Sequence, residues 1–193
     1  GPKYFSNAFF AMRAILIFLL LSIFIDAIIS LIVALVLIYY EKRLTILANI
    51  NNILISSFLA ATIGVTLGLV GAEILLAIIA LYDFISVYIT KHMLTLVKAF
   101  KNQPQNAGIV LTGKKYRNRM FLGNGDLVFS NILVSASFFA LRSLSFPILE
   151  EALAFAGLFI ILMLGKKKKG YPVMAYVGPL QIAITNLILY LII

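Results

Sequence analysis

Residues 79–93 read IALYDFISVYITKHM, and residues 119–134 read RMFLGNGDLVFSNILV. Each stretch holds one acidic residue, Asp83 or Asp126, inside a run of residues that is apolar enough to lie in a lipid bilayer. A carboxylate near the centre of a bilayer costs about 2.5–3.5 kcal/mol on insertion scales. Two acids in such runs therefore indicate a functional site.

The composition of the whole chain is that of an integral membrane protein. Of the 193 residues, 63% are hydrophobic and only 12% are charged, and the mean hydropathy is +1.08. These values lie outside the usual range of soluble domains. The chain has no cysteine and a single histidine, His92, which argues against a metal site and against Ser-His or Cys-His catalysis. We therefore expect neither a metal nor a cofactor.

Apolar stretches of about 20 residues, the length that crosses a bilayer core, occur six times. They predict an all-α polytopic transmembrane helical bundle that forms a single domain over residues 1–193. The predicted spans are 14–40, 47–69, 71–90, 121–142, 147–165 and 172–193. A turn around Gly71 separates the second span from the third, and a long polar loop, 91–120, follows the third. Gly1-Pro2, without an initial methionine, resembles the remnant of a cleaved tag.

The lysines and arginines predict the orientation of the bundle. The loops after the first, third and fifth spans contain all but three of the 16 basic residues, the exceptions being Lys3, Arg13 and Arg142. We expect those loops to face the cytoplasm at a prokaryotic cell membrane, and the three exceptions to lie on the other side. The net charge of +9 then indicates contact with membrane lipids rather than with nucleic acid.

The two aspartates lie at matched depth in this topology. Asp83 precedes Lys91 by eight residues and Asp126 follows Arg119 by seven, at the two ends of the same loop. On antiparallel neighbouring helices, both carboxyl groups lie roughly 10–12 Å inside the helix ends. No basic residue occurs at that depth in any predicted span. We therefore expect the two carboxyl groups to face each other.

Two carboxyl groups a few ångströms apart do not both ionise readily, so such a pair holds one proton between them. The charged member can take a proton from a bound water while the neutral member protonates a peptide carbonyl, which hydrolyses an amide without a metal. Gly123, Asn124 and Gly125 directly precede Asp126. Glycines at these positions let an extended peptide backbone come close to the carboxyl group.

The segments 82–83 and 123–126, YD and GNGD, lie on consecutive predicted spans. They resemble the YD and GxGD motifs of the presenilin and signal-peptide-peptidase family of intramembrane aspartyl proteases, and YDFISVYITKHM is most similar to archaeal presenilin homologues. The resemblance covers the chain from about residue 40 to its end. It implies that Asp83 and Asp126 are catalytic, that Tyr82 shapes their pocket or meets substrate, and that the substrates are transmembrane or signal-peptide helices. The six spans would correspond to the fourth to ninth helices of the family.

The family also has a PAL motif at the start of its last helix, and here the sequence departs from it. Two segments are candidates for the same role, the aligned Met174-Ala175-Tyr176 and the displaced Gly178-Pro179-Leu180. Because Pro172 and Pro179 remove backbone hydrogen bonds, we expect an irregular backbone across 172–180 that contacts the substrate peptide.

Residues 107–113, AGIVLTG, form a β-favouring run within the polar loop. Ile109, Val110 and Leu111 are then candidates to pair edge-on with an unwound substrate segment. In the resembled family, a short strand in this loop does so. The alternative is a loop piece that rests on the membrane surface.

The remaining acids receive structural interpretations. Asp26, in the middle of the first predicted span, is expected to be hydrogen-bonded in the interior or exposed to a water cavity. Glu73, Glu150 and Glu151 lie near span ends, where contacts with solvent or lipid headgroups are expected.

Two other functions remain open from the sequence. A prepilin or preflagellin type of GxGD peptidase would pair Asp126 with another acid such as Asp26, although the YD and TKHM stretch argues against it. A transporter would instead use the buried acids to relay protons or bind cations. The sequence has no inverted repeat of the kind that many transporters show.

Overall fold

The computed structural model describes residues 2–41, 43–90, 108–111, 120–164 and 172–192. Within these residues, the chain forms six α-helices, one π-helical segment and one two-stranded sheet. The helices are α1 (Pro2–Ser22), α2 (Ala27–Glu41), α3 (Thr45–Phe84), α4 (Asn124–Leu141), α5 (Ser145–Leu164) and α6 (Val173–Ile192). The π-helical segment is Ile85–Ile89, and the strands are β1 (Gly108–Leu111) and β2 (Met120–Gly123). The predicted all-α class is confirmed.

In the part of the chain that the structure describes, three helical stretches are long and apolar enough to cross a membrane. They are Thr45–Ile89, Asn124–Leu141 and Val173–Tyr190. The first has 45 residues, enough for two passes, and it is interrupted at Gly68, whose φ is 65° and ψ is −178°. The predicted turn near Gly71 therefore lies at Gly68, the residue whose backbone conformation is open only to glycine.

The first predicted span, 14–40, is wrong as a single helix, because the chain turns within it. Helix α1 ends at Ser22 and α2 begins at Ala27. Asp26 stands before α2, exposed, and its Oδ1 accepts the backbone N–H of Ile28 at 2.9 Å. Aspartate is one of the preferred residues at a helix N-cap, since its side chain satisfies an otherwise unpaired N–H. Asp26 therefore starts a helix instead of lying inside one.

This turn also changes the position of Arg13. The helices α1 and α2 pack against each other, and Arg13 forms an ion pair with Glu41 at the end of α2, with 2.8 Å between Nη2 and Oε2. Arg13 was expected on the side opposite the basic loop that begins at Glu41, and this expectation is wrong. The reason is that the chain reverses direction before Asp26, so α2 runs back along α1 and its end lies beside Arg13. Most of the other basic residues lie outside the described residues.

The chain divides into two compact units. The first, which we call the strand unit, comprises Gly1–Phe58 and Gln103–Asn124 and contains both strands. The second, the aspartate unit, comprises Leu59–Asn102 and Gly125–Ile193 and contains Asp83 and Asp126. Residues from α3, α4, α5 and α6 build the core of the aspartate unit. They include Ala72, Leu76, Ile132, Leu133, Ala136, Ala154, Met174 and Val177.

The two strands form an antiparallel ladder whose register runs from Gly108 opposite Gly123 to Leu111 opposite Met120. The strand predicted within 107–113 is therefore confirmed as β1. The fourth predicted span began at residue 121, but α4 begins at Asn124. The apolar residues just before it pair with β1, so apolar character alone misplaced the start of the helix.

Replacing Gly68 by alanine should destabilise the aspartate unit. A side chain in this backbone conformation costs about 1–3 kcal/mol, so we expect Gly68→Ala to lower the melting temperature in detergent by several degrees. Gly157→Ala is the matched control, because a Cβ at Gly157 would lie 3.4 Å from Leu180 Cδ2, an ordinary contact. Identical melting of both variants and the wild type would contradict a helix break at Gly68.

Candidate active site

Asp83 lies near the end of α3 and is only 8% exposed. Its Oδ2 accepts the backbone N–H of Met174 at 2.9 Å, and the backbone N–H of Ala175 also donates to this carboxylate. Both donors belong to the first turn of α6. The first N–H groups of a helix have no partner within the helix and carry a partial positive charge, so they suit a carboxylate. The start of α6 therefore holds the side chain of Asp83 in one orientation.

The backbone changes its hydrogen-bonding pattern directly after Asp83. Residues Ile85–Ile89 are π-helical, and the N–H of Thr90 donates to the carbonyl of Ile85 at 3.0 Å. The hydroxyl of Ser86 donates to the carbonyl of Asp83, also at 3.0 Å. Single π turns inside α-helices are frequent at functional sites, because they release backbone groups and re-aim side chains. Tyr82 is 61% exposed, so it projects from a different face than Asp83.

Asp126 lies in the first turn of α4 and is partly buried. Acidic side chains are favoured at this position by the partial positive charge of the helix start. Gly125, next to it, is exposed, and a Cβ there would have Phe129 as its nearest neighbour at 3.5 Å. Both aspartates therefore contact the positive end of a helix. Asp83, on α3, contacts the first turn of α6, and Asp126 lies in the first turn of α4. Among the described residues, no three acidic, histidine or cysteine side chains come together as a metal site.

The two candidate segments on α6 have different surroundings. The aligned segment contains the donors to Asp83, and its Tyr176 is half exposed with its hydroxyl 3.0 Å from that of Tyr88. In the displaced segment, Gly178 packs on α3, where a Cβ would lie 3.2 Å from Ala80 Cβ, while Pro179 and Leu180 are exposed.

The backbone in this region is more regular than expected. The predicted irregular stretch across 172–180 is wrong, because α6 is helical from Val173 onward and contains Pro179. Pro172 is buried and directly precedes the helix. Proline is tolerated at a helix start, where its missing N–H would have no intrahelical acceptor.

The predicted substrate-pairing residues belong to the strand unit. Ile109, Val110 and Leu111 lie on β1, and Gly123 is the last residue of β2. Asn124 begins α4, and its Nδ2 donates to Asn52 Oδ1 at 3.3 Å. Strand β2 therefore leads, within three residues of chain, to Asp126.

Sequence reasoning missed several buried polar residues. Glu150 was expected to contact solvent or headgroups, but it is 1% exposed and accepts hydrogen bonds from the hydroxyls of Ser137, at 2.6 Å, and Thr185. Gln181, also buried, donates to the carbonyl of Ser130 at 3.2 Å. The available signal was the i, i+4 spacing of Gln181 and Thr185 within an apolar span, which places two polar groups on one helix face.

The contact between Asp83 and α6 predicts a stability difference between two substitutions. In Asp83→Asn the side-chain oxygen still accepts the N–H of Met174, whereas in Asp83→Ala this buried donor loses its partner at a cost of about 1–3 kcal/mol. We expect the alanine variant to melt several degrees below the asparagine variant in detergent. Equal melting temperatures would mean that the carboxylate does not hold the start of α6.

One protein-family model, described as signal-peptide peptidase, presenilin aspartyl protease, matches residues 4–188. No curated protein and no solved structure gives a significant match to the chain. The family match spans nearly the whole sequence and includes both aspartates and the helix that contacts Asp83. The chain therefore belongs to the family of signal-peptide peptidases and presenilin aspartyl proteases.

Proposed function

We propose that the protein is an intramembrane aspartyl protease in which Asp83 and Asp126 are the catalytic pair. The observation that carries the proposal is the buried carboxylate of Asp83, which the first turn of α6 holds in a chain of an aspartyl-protease family. Asp126 supports it because it lies in the same unit, on the first turn of α4. A buried acid with a fixed orientation is expensive in an apolar helix bundle, which favours a catalytic role over a packing role.

The proposed reaction needs one proton shared by the two carboxyl groups. The ionised member takes a proton from a water molecule while the water oxygen attacks the carbonyl carbon of the substrate, and the protonated member gives its proton to the carbonyl oxygen. The resulting tetrahedral diol then returns one hydroxyl proton to a carboxylate as the amide nitrogen receives a proton from the other carboxyl group. The C–N bond breaks, leaving a carboxylic acid, an amine and the pair with its single proton restored.

The substrates in this proposal are transmembrane or signal-peptide helices that unwind before cleavage. Strand β1 is paired with β2 along one edge, and no described residue pairs with its other edge. An extended peptide can add to such an edge through main-chain hydrogen bonds, which requires little sequence selectivity. Within the aspartate unit, Tyr82, Gly125 and the segment 172–180 are proposed as residues that contact the substrate. The basic residues of the loop 91–120 favour cleavage near the cytoplasmic face of a cell membrane.

The alternative functions have less support. A prepilin type of peptidase would need Asp26 as the partner of Asp126, but Asp26 is exposed and caps α2. A transporter would use the same acids without hydrolysis, and the membership of an aspartyl-protease family favours the peptidase.

Single replacements of the acids test the proposal. We expect Asp83→Asn and Asp126→Asn each to abolish cleavage of a single-span reporter peptide in liposomes, because neither amide can exchange protons with water or substrate. Asp26→Asn is the matched control, since asparagine is an equally good N-cap residue and leaves α2 intact. It should cleave at the wild-type rate. The products are measured by mass spectrometry.

Each of the other outcomes favours a different function. Loss of cleavage in Asp26→Asn with retained cleavage in Asp83→Asn would favour the prepilin type of peptidase. Absence of cleavage by the wild type, together with proton or cation flux that Asp83→Asn removes, would favour a transporter.

A further inference from the structure

Arg13 and Glu41 form a buried ion pair in the strand unit. Their exposed fractions are 2% and 3%, and Nη2 of Arg13 lies 2.8 Å from Oε2 of Glu41. Removing two charges from water costs about as much as their attraction returns, so a buried pair is weak evidence for stability. In some proteins, a buried polar or charged group instead fixes one arrangement of the groups around it. The question is therefore which groups this pair orients.

The pair orients two neighbouring asparagines on α3. Nη1 of Arg13 donates to Asn52 Oδ1 at 2.6 Å, and Nδ2 of Asn51 donates to Glu41 Oε2 at 3.0 Å. Both asparagines are fully buried. Each charged group therefore has one asparagine amide as an additional partner.

The chemistry of arginine decides which way the amide of Asn52 faces. A guanidinium has donors only, so the atom of Asn52 next to Arg13 must be the oxygen. The Nδ2 group then faces the other way, where it donates to the carbonyl of Gly108, the first residue of β1, at 2.8 Å. The same Asn52 oxygen also accepts from Nδ2 of Asn124 at 3.3 Å. Asn52 thus contacts the start of β1 and the start of α4.

We propose that Arg13 and Glu41 are positioning residues for substrate cleavage: by orienting Asn52, they fix the place of strand β1. This inference rests on the proposed function, because β1 is the edge that would bind the unwound substrate. The property that the ion pair controls in this proposal is the orientation of the Asn52 side-chain amide. If that amide reverses, its oxygen faces the oxygen of Gly108 and the contact with β1 is lost.

The test replaces the ion pair by an apolar pair, Arg13→Met with Glu41→Leu. Such replacements often leave stability unchanged, but here the buried Nδ2 of Asn51 loses its acceptor, so the double variant should melt several degrees below the wild type in detergent. Without the guanidinium, Asn52 Oδ1 loses its shorter hydrogen bond, of 2.6 Å, and keeps the one from Asn124 at 3.3 Å, so the amide is held less firmly. We expect KM for a single-span reporter peptide to rise by about ten-fold or more with little change in kcat, because the strand that binds substrate is displaced and the carboxyl pair is not. Hydrogen exchange of the amides in 108–111 should become faster.

A second variant keeps the ion pair and removes only the contact with β1. In Asn52→Asp, the side chain has the same shape and still accepts from Arg13, but it cannot donate to the carbonyl of Gly108. Asn52→Asp should show the same rise in KM and the same faster hydrogen exchange. If the double variant does not fold, Asn52→Asp alone tests whether the contact of Asn52 with Gly108 positions β1. Arg43→Gln is the matched control, because Arg43 is an exposed cation of the same unit whose guanidinium lies over the ring of Tyr39. Its KM and exchange should equal those of the wild type.

The outcomes separate this inference from the proposed function. Wild-type KM and wild-type exchange in the folded variants would overturn the inference, since the pair would then only join α1 to α2. Failure of the wild-type protein to cleave any reporter would overturn the proposed function and the effect on KM. In that case the exchange of residues 108–111 still shows whether the pair anchors β1.

Discussion

Inside an apolar helix bundle, a buried polar group must find its partner within the protein, because neither lipid nor packed hydrocarbon can accept or donate a hydrogen bond. The start of α6 has backbone N–H groups without intrahelical acceptors, and Asp83 has a carboxylate that forms no ion pair with any residue the structure describes. Each satisfies the other, at 2.9 Å between the N–H of Met174 and Oδ2 of Asp83. This contact ties α3 to α6 and gives the candidate catalytic carboxylate a fixed place.

The same constraint explains the other buried polar clusters. In the strand unit, Arg13 pairs with Glu41 and donates to Asn52, whose Nδ2 donates to the carbonyl of Gly108 in β1. In the aspartate unit, Glu150 joins α4, α5 and α6 through the hydroxyls of Ser137 and Thr185. Each of these clusters joins polar side chains from different helices, so each links those helices in one relative position.

A protease that cuts helical substrates also needs backbone that is not fully occupied by its own helix. The π-helical segment after Asp83 and the strands before Asp126 supply it on the chain segments next to the two acids. Strand β2 ends directly before α4, so an extended chain passes into a helix within three residues of Asp126.

The sequence by itself determined the membrane class, the all-α fold, the family and the two candidate acids, because apolar runs and short motifs are local properties of the chain. For the run 107–113 it left a strand and a surface loop open, and the structure shows the strand. Tertiary structure alone decided which polar side chains are buried. Counting apolar residues merged α1 with α2 across Asp26, began the fourth span three residues before Asn124, and placed Arg13 and Glu150 outside the core. Three of these errors share a cause, since each depends on a partner distant in the chain: a second strand for the residues before Asn124, Glu41 for Arg13 and two hydroxyls for Glu150. The error at Asp26 is local, because its partner is the backbone N–H of Ile28, two residues further on. Burial of a polar group is favourable only when the fold supplies a hydrogen-bond partner for it. The pattern of apolar and polar residues along the chain does not identify a partner that is distant in sequence.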